Sequence, residues 1–332
     1  MPSSIKHIEY FLPENILSNE KLQLEFPDSD VPKMANKIGV FSRHIVTESQ
    51  TALDLAESAC NKLFDTYDKN EIDFIVLCTQ SPDYYLPTSA CILQERLGLP
   101  TGVGAFDINQ GCSGFIYALT IAKGFISSGV ANNVLLVMAE TYSKHLNPKD
   151  LGNRLIFGDG ASAIVVGKDK KEKIGDFVLG TNGEGHKNLI VPNGGMKCRY
   201  DYGAETIIGD RNEERTANDL YMNGSEIFYF VSKQIPGVVK KVLEKNNFVQ
   251  SDIDFFIFHQ ANEYMIDFLT KRLKIPKDKY YNNIQNTGNT VSSTIPIALK
   301  ESMDKNLVKK GDKIMLCGFG VGYSWGAVTI EL

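Results

Sequence analysis

Cys112 stands in Asn109-Gln110-Gly111-Cys112-Ser113-Gly114-Phe115, between an apolar run ending at Ile108 and residues Phe115, Leu119, Ala122 and Ile126 at helical spacing. A thiol at such a strand-to-helix junction meets unpaired N–H groups and the positive end of a helix dipole, both of which favour the nucleophilic thiolate. Against this stands the commoner fate of a free cysteine, which is burial and inertness. His259-Gln260-Ala261-Asn262 follows a strand with three phenylalanines, and Asn289 lies in the turn Thr287-Gly288-Asn289-Thr290. Singly, the histidine reads as a structural residue and the asparagine as a turn residue. Packing alone does not account for all three at corresponding places of an internal repeat.

That repeat is carried by alternating helices and short apolar strands, the pattern of an α/β protein with buried strands. Ile72-Asp73-Phe74-Ile75-Val76-Leu77 has a counterpart in Ile253-Asp254-Phe255-Phe256-Ile257-Phe258. Each follows a helical segment, residues 53–67 or 235–246. Downstream of the first copy the pattern predicts a helix at 88–97, a strand at 103–108, the Cys112 helix and a strand at 134–138. Downstream of the second it predicts a helix at 263–273, a strand at 280–284, the Asn289 turn, a helix through Ile297 and Leu299, and a strand at 314–317. Asn289 then falls near the equivalent of Cys112, and His259 ends the strand that matches 74–78. Carboxyl ends of strands from two related halves would surround a shared crevice. Residues 176–220, rich in Gly, Asn and charge, read as an irregular excursion joining the halves.

With 332 residues, 43% of them hydrophobic, the chain is long enough for a large core. A net charge of -5 and the lack of long basic runs leave no electrostatic footprint for nucleic acid or an anionic membrane. No stretch has the pattern of a signal peptide or a membrane span, so the expected location is the cytoplasm. The six cysteines show neither zinc-site spacing nor the density of a disulfide framework, and the expectation is reduced thiols with no metal. Phe157-Gly158-Asp159-Gly160 lacks the ending of a phosphate loop and the oxygen ligands of a metal loop, which favours a tight structural turn.

At this point the chain resembles the ketoacyl synthase III enzymes of the thiolase superfamily. The shared motifs run in order through nearly its whole length: Ile38-Gly39-Val40, Arg43-His44-Ile45, Leu86-Pro87, Phe106-Asp107, Phe157-Gly158-Asp159-Gly160-Ala161, His259-Gln260-Ala261-Asn262, Gly288-Asn289-Thr290, and Phe319-Gly320 through Trp325-Gly326. The resemblance implies a thiolase-like α/β fold of two pseudo-symmetric halves in a five-layer αβαβα arrangement, with Cys112 in residues 1–175 and the excursion, His259 and Asn289 in 176–332. It implies a homodimer that uses acyl-coenzyme A or acyl carrier protein thioesters and no bound cofactor. In this family the cysteine carries an acyl primer. The histidine and asparagine hold the enolate formed when malonyl carrier protein loses carbon dioxide, and His259 is expected to donate through Nε2. The amide of Cys112 and one from Phe319-Gly320-Val321-Gly322 are the expected oxyanion donors. Phe157 and Leu86 are candidates for the acyl pocket, Leu86 by reaching a partner subunit, although a core leucine fits the sequence equally well.

Departures from the family pattern concern recognition. Lys33, Lys37 and Leu151 stand at or near positions that usually clamp coenzyme A, with Arg154 a candidate substitute and Ala261 and Asn262 further expected substrate-binding residues. Tyr229 and Tyr264 replace a basic pair that meets the carrier protein, with Lys233, Lys271 and Arg272 nearby. Val321 replaces a glycine. These changes favour a specialised lipid, polyketide or glycan-acylating pathway. Transfer of the acyl group to an oxygen or nitrogen nucleophile, and a non-catalytic acyl or carrier binder, remain the alternative readings.

Overall fold

Along Phe74–Cys78, Val76 and Cys78 pack to one side while Ile75 and Leu77 pack to the other, and Asn133–Glu140 divides its side chains in the same way. Strands apolar on both faces must be covered on both faces, and that requirement dictates the layering of the molecule. The computed structural model describes residues 1–209 and 213–332.

The first sheet contains β1 (Ser3–Phe11), β2 (Phe74–Cys78), β3 (Gly104–Ile108), β4 (Asn133–Glu140) and β5 (Gly160–Lys168) in the order β1-β5-β4-β2-β3. β2 runs parallel to β3 and β4, with Phe74 opposite both Gly104 and Val134, whereas β5 is antiparallel to β1 and β4. The second sheet contains β6 (Val178–Thr181), β7 (Phe255–Phe258), β8 (Lys313–Gly320) and β9 (Ser324–Glu331) in the order β6-β9-β8-β7. β7 and β8 are parallel, with Phe255 opposite Ile314, and β9 is antiparallel to both β8 and β6. Strand for strand, β6-β9-β8-β7 repeats β1-β5-β4-β2.

Six helices complete the layers: α1 (Ala52–Phe64), α2 (Ser89–Arg96), α3 (Gly114–Ser128), α4 (Gly224–Lys245), α5 (Glu263–Leu273) and α6 (Thr294–Asp304). Phe115, Leu119 and Ile126 of α3 and Ile295 and Leu299 of α6 share one core with the inward faces of both sheets. α1 and α2 cover the outer face of the first sheet, and α4 and α5 that of the second. The result is helix, sheet, helix pair, sheet, helix. Among the described residues no helix is long and apolar enough to cross a membrane.

Three local expectations need correction. Residues 280–284 form no strand; Tyr280 makes a single bridge to Phe256, in the place that β3 occupies in the first half, and a short helix begins at Ile284. The excursion begins with structure, because Val178–Thr181 is the edge strand β6. Helix α4 starts at Gly224 rather than near 235 and carries Pro236 inside it.

Candidate active site

The sharp turn after β3 is closed by a hydrogen bond from the Gly114 amide to the Gly111 carbonyl at 2.7 Å, and α3 begins at Gly114. Cys112 therefore lies just before the helix, not within its first turn, and it is only 5% exposed. Across from it passes the end of β8, so close that a Cβ on Gly320 would lie 2.7 Å from Cys112 Sγ. This approach brings the Val321 amide to the sulfur, where it joins the amide of Cys112 itself. Both favour the thiolate, yet burial outweighs them and pushes the Cys112 thiol up to about 12. Burial thus opposes the thiolate that the helix terminus favours.

Val321 fits without strain. The left-handed conformation of this turn falls on Gly322, with φ 132°, and Val321 is not among the residues of positive φ. Its side chain uses the space above Gly111, where a Cβ would lie 2.4 Å from Val321 Cγ1.

His259 follows β7, its amide bonded to the Cys317 carbonyl at 2.8 Å, and its ring stands edge-on to Phe319. Nδ1 lies 2.7 Å from Thr294 Oγ1, and that hydroxyl lies 2.9 Å from the Val291 carbonyl. The Thr294 amide already satisfies the Val291 carbonyl, so the hydroxyl can equally donate to Nδ1, and this contact orients the ring whichever nitrogen carries the proton. Burial lowers the His259 pKa to about 3, which keeps the ring neutral.

Asn289 is placed by the backbone of the segment before β5: its amide donates to Ile156 O at 2.8 Å and its carbonyl accepts from Gly158 at 3.1 Å. Its Oδ1 accepts from the Val291 amide at 2.9 Å, which fixes the carboxamide and leaves Nδ2 as the free donor. Asp159, in the turn read as structural, accepts from the Val46 and Ser143 amides at 2.8 and 2.9 Å.

A cavity of about 1170 Å³ has Cys112, His259, Asn289, Phe157, Phe319 and Gly320 in its wall, with Ala261, Asn262 and the exposed Lys37 and Lys149 elsewhere along it. Asn262 also caps α5, accepting from the Met265 amide at 2.8 Å. Three predicted residues lie off this wall. Val321 offers its amide from behind; Arg154 is paired with Glu25 at 2.6 Å, outside the wall that Glu25 and Phe26 form; Leu86 is 80% exposed, so it is not a core leucine. Tyr229 and Tyr264 are both about half exposed, and Lys233 lies over the Tyr229 ring. Sequence reasoning passed over Thr294, which orients His259, and Tyr142, Gln80 and Glu140 near Cys112. Thr294 opens a helix and reads there as an ordinary helix-start residue; the others carry no spacing signal.

A cysteine beside two amides, a neutral histidine and an oriented carboxamide, between two halves of one αβαβα body, define a condensing enzyme of the acyltransferase class. The 3-oxoacyl-[acyl-carrier-protein] synthase III family matches residues 106–183, and the family of its C-terminal region matches residues 243–332. β-Ketoacyl-[acyl-carrier-protein] synthase III of Clostridium perfringens strain 13 is 40% identical over 326 residues, 97% of each chain. That of Caldanaerobacter subterraneus subsp. tengcongensis is 38% identical over 97% of this chain and 95% of its own. A crystal structure of a 3-oxoacyl-(acyl-carrier-protein) synthase III superposes with a TM-score of 0.98 at 42% identity, over 100% of both chains. The chain belongs to the 3-oxoacyl-[acyl-carrier-protein] synthase III family, and its fold is thiolase-like.

Proposed function

We propose that the protein loads an acyl primer onto Cys112 and condenses it with a malonyl group held on acyl carrier protein. The observation that carries this reading is the meeting of Cys112, His259 and Asn289, from both halves, in the wall of one cavity. In the first step Cys112 Sγ attacks the primer thioester, the bond between the acyl group and its carrier breaks, and the thiol proton passes to the departing carrier sulfur. The Cys112 and Val321 amides hold the carbonyl oxygen as it becomes negative. In the second step the bond to the malonyl carboxylate breaks and carbon dioxide departs. The electron pair left behind forms an enolate, whose oxygen accepts from Asn289 Nδ2 and from Nε2–H of neutral His259. The enolate carbon attacks the acyl group, and Cys112 leaves as a thiolate that takes a proton from water.

Removing one donor to a developing oxyanion typically costs about a hundredfold to a thousandfold in rate. Asn289→Ala is accordingly expected to retain acyl loading of Cys112, read by intact mass, while carbon dioxide release from labelled malonyl carrier protein falls by about that factor. Failure of the unaltered protein to release carbon dioxide with any acyl thioester would sink the condensing reading, and an ester or amide product would replace it with simple acyl transfer.

A homodimer is part of the same proposal. Tyr84, Tyr85 and Leu86 form a run of side chains 62–80% exposed, and β3 is a partly exposed edge strand, a combination that a second copy would cover. We also assign the protein to the cytoplasm and the division between its halves to residues 175 and 176, in the crossing from β5 to β6.

A further inference from the structure

The turn that joins β8 to β9, Val321 to Tyr323, supplies one of the two amides at Cys112 Sγ. β8 approaches Cys112 with no side chain between. A Cβ on Gly318 would lie 2.9 Å from the Cys112 carbonyl oxygen and from Ser113 Cα, and one on Gly320 would lie 2.7 Å from Cys112 Sγ. The strand ladder stops where Gly320 faces Ser324, so residues 321–323 lie outside it and need other ties. At the outer end Tyr323 stacks on Phe230, ring centroids 4.2 Å apart, and exchanges backbone hydrogen bonds with Asn182 at 2.8 and 2.9 Å. At the inner end stands Ser324, buried beside the wholly buried Ser113. Ser324 Oγ lies 2.6 Å from Ser113 Oγ, 3.0 Å from the Val321 carbonyl and 3.3 Å from Gln110 Oε1. The last two oxygens only accept, so these groups are served when Ser324 donates to one of them and Ser113 donates to Ser324. Ser324 thus touches the cysteine turn at two points and the Val321 turn at a third.

We propose that Ser324, backed by Ser113, is a positioning residue for acyl transfer: the hydroxyl pair pins the β8–β9 turn to the cysteine turn and so holds the Val321 amide where the acyl carbonyl oxygen becomes negative. The inference rests on the reading of Cys112 as the acyl carrier. Both serines lie off the cavity wall, so they touch no acyl group and act through Val321. A donor serves a developing oxyanion only within hydrogen-bond distance, and a displacement of about 1 Å can cost about a hundredfold in rate. Binding of the thioester does not draw on that donor in the same way, because the charge it meets exists only as the reaction proceeds.

The test is the rate at which the full chain loads an acyl group, followed by mass on the Cys112 peptide over time. The probes are acetyl-, butyryl- and octanoyl-coenzyme A and the same acyl groups on acyl carrier protein, the fastest of them being used for the variants. Ser324→Ala and Ser113→Ala should each slow maximal loading by about tenfold or more and leave the half-saturating thioester concentration within about threefold. The whole sample should still load in the end, whereas a merely structural loss would lower the fraction that loads and leave its rate alone. The double variant should load within about threefold of the slower single one, because both serines act through one contact. Ser324→Thr, which keeps the hydroxyl, should load within about threefold of the unaltered rate. A normal rate in either folded alanine variant overturns the proposal, as do losses that multiply in the double variant or a folded Ser324→Thr as slow as Ser324→Ala. If Ser324→Ala does not fold, the rate of Ser113→Ala decides; if neither folds, the pair is structural and the proposal falls. Loading of the unaltered protein at another residue, or by no probe, refutes the role of Cys112 and with it this inference, an outcome distinct from normal loading by the serine variants.

Discussion

Burial governs the chemistry of Cys112 more than its neighbours do. The two amides at the sulfur pull its pKa down, but enclosure prevails and holds it up at about 12. Reactivity must then come from alignment with a bound thioester and a proton acceptor, not from a standing pool of thiolate. The departing carrier sulfur fits that role, and His259, neutral and oriented by Thr294, is left to hold the enolate. The consequence is measurable with iodoacetamide, which needs thiolate but supplies no such alignment. Alkylation of the Cys112 peptide is expected to climb about tenfold per pH unit from pH 7 to 9 with no plateau, while the exposed Cys91 and Cys198 react sooner. A plateau for Cys112 below pH 8 would mean a thiolate in the resting enzyme and would contradict the buried-thiol description.

At the scale of elements, the site depends on how closely the end of β8 passes the turn before α3. Gly320→Ala would put a methyl carbon 2.7 Å from Cys112 Cβ and Sγ, so the strand or the nucleophile must move. The expected outcome is loss of acyl loading and a stability cost of about 1–3 kcal/mol in urea unfolding. Gly124→Ala on the exposed side of α3, where an added Cβ meets nothing, should instead stabilise by about 1 kcal/mol and leave loading intact. Loading by Gly320→Ala at the normal rate would show that the approach is looser than drawn. The same elements explain what was legible in the sequence. β2, β4, β7 and β8 are near-continuous apolar runs because both their faces are covered, and such runs stand out in any reading. β6 did not, since four residues including Gly180 hold little pattern and gain their strand from pairing with β9. Tyr280 pairs through one bridge only, too little to be a strand, and Pro236 masked the first turns of α4 by its usual meaning as a helix breaker. Cys112, His259 and Asn289 were visible through the repeat. Thr294 orients His259 through a contact that no spacing encodes.

For the molecule as a whole, Glu140 is one of the side chains that tie the halves together at their centre, with Ser113, Ser293 and Ser324. Wholly buried at the end of β4, it accepts from the Gln80 amide and from Ser81 Oγ at 3.0 Å on its own half. It also accepts from Ser292 Oγ at 3.3 Å in the segment that carries Asn289. Those donors favour the carboxylate, but burial dominates and raises the pKa from 4.5 to about 8. A carboxyl whose pKa is higher in the folded than in the unfolded chain stabilises fully below the unfolded value, and that contribution is lost as pH rises through the folded one. Between pH 4.5 and 8 the folded protein keeps a proton that the unfolded chain has released. His259 acts in the opposite sense, its depressed pKa removing stability as pH falls from 6.5 toward 3. The wild-type profile therefore mixes two slopes, and substitution of Glu140 separates them. Glu140→Gln keeps the shape and drops the titration, so its stability relative to wild type should rise by about 1.4 kcal/mol for each pH unit from 5 to 7.5. Urea unfolding of the two proteins at pH 5, 6 and 7 reads that difference directly. A difference independent of pH would mean that Glu140 is already ionised in the folded state, and the junction between the halves would then be held by a buried charge in place of a neutral acid.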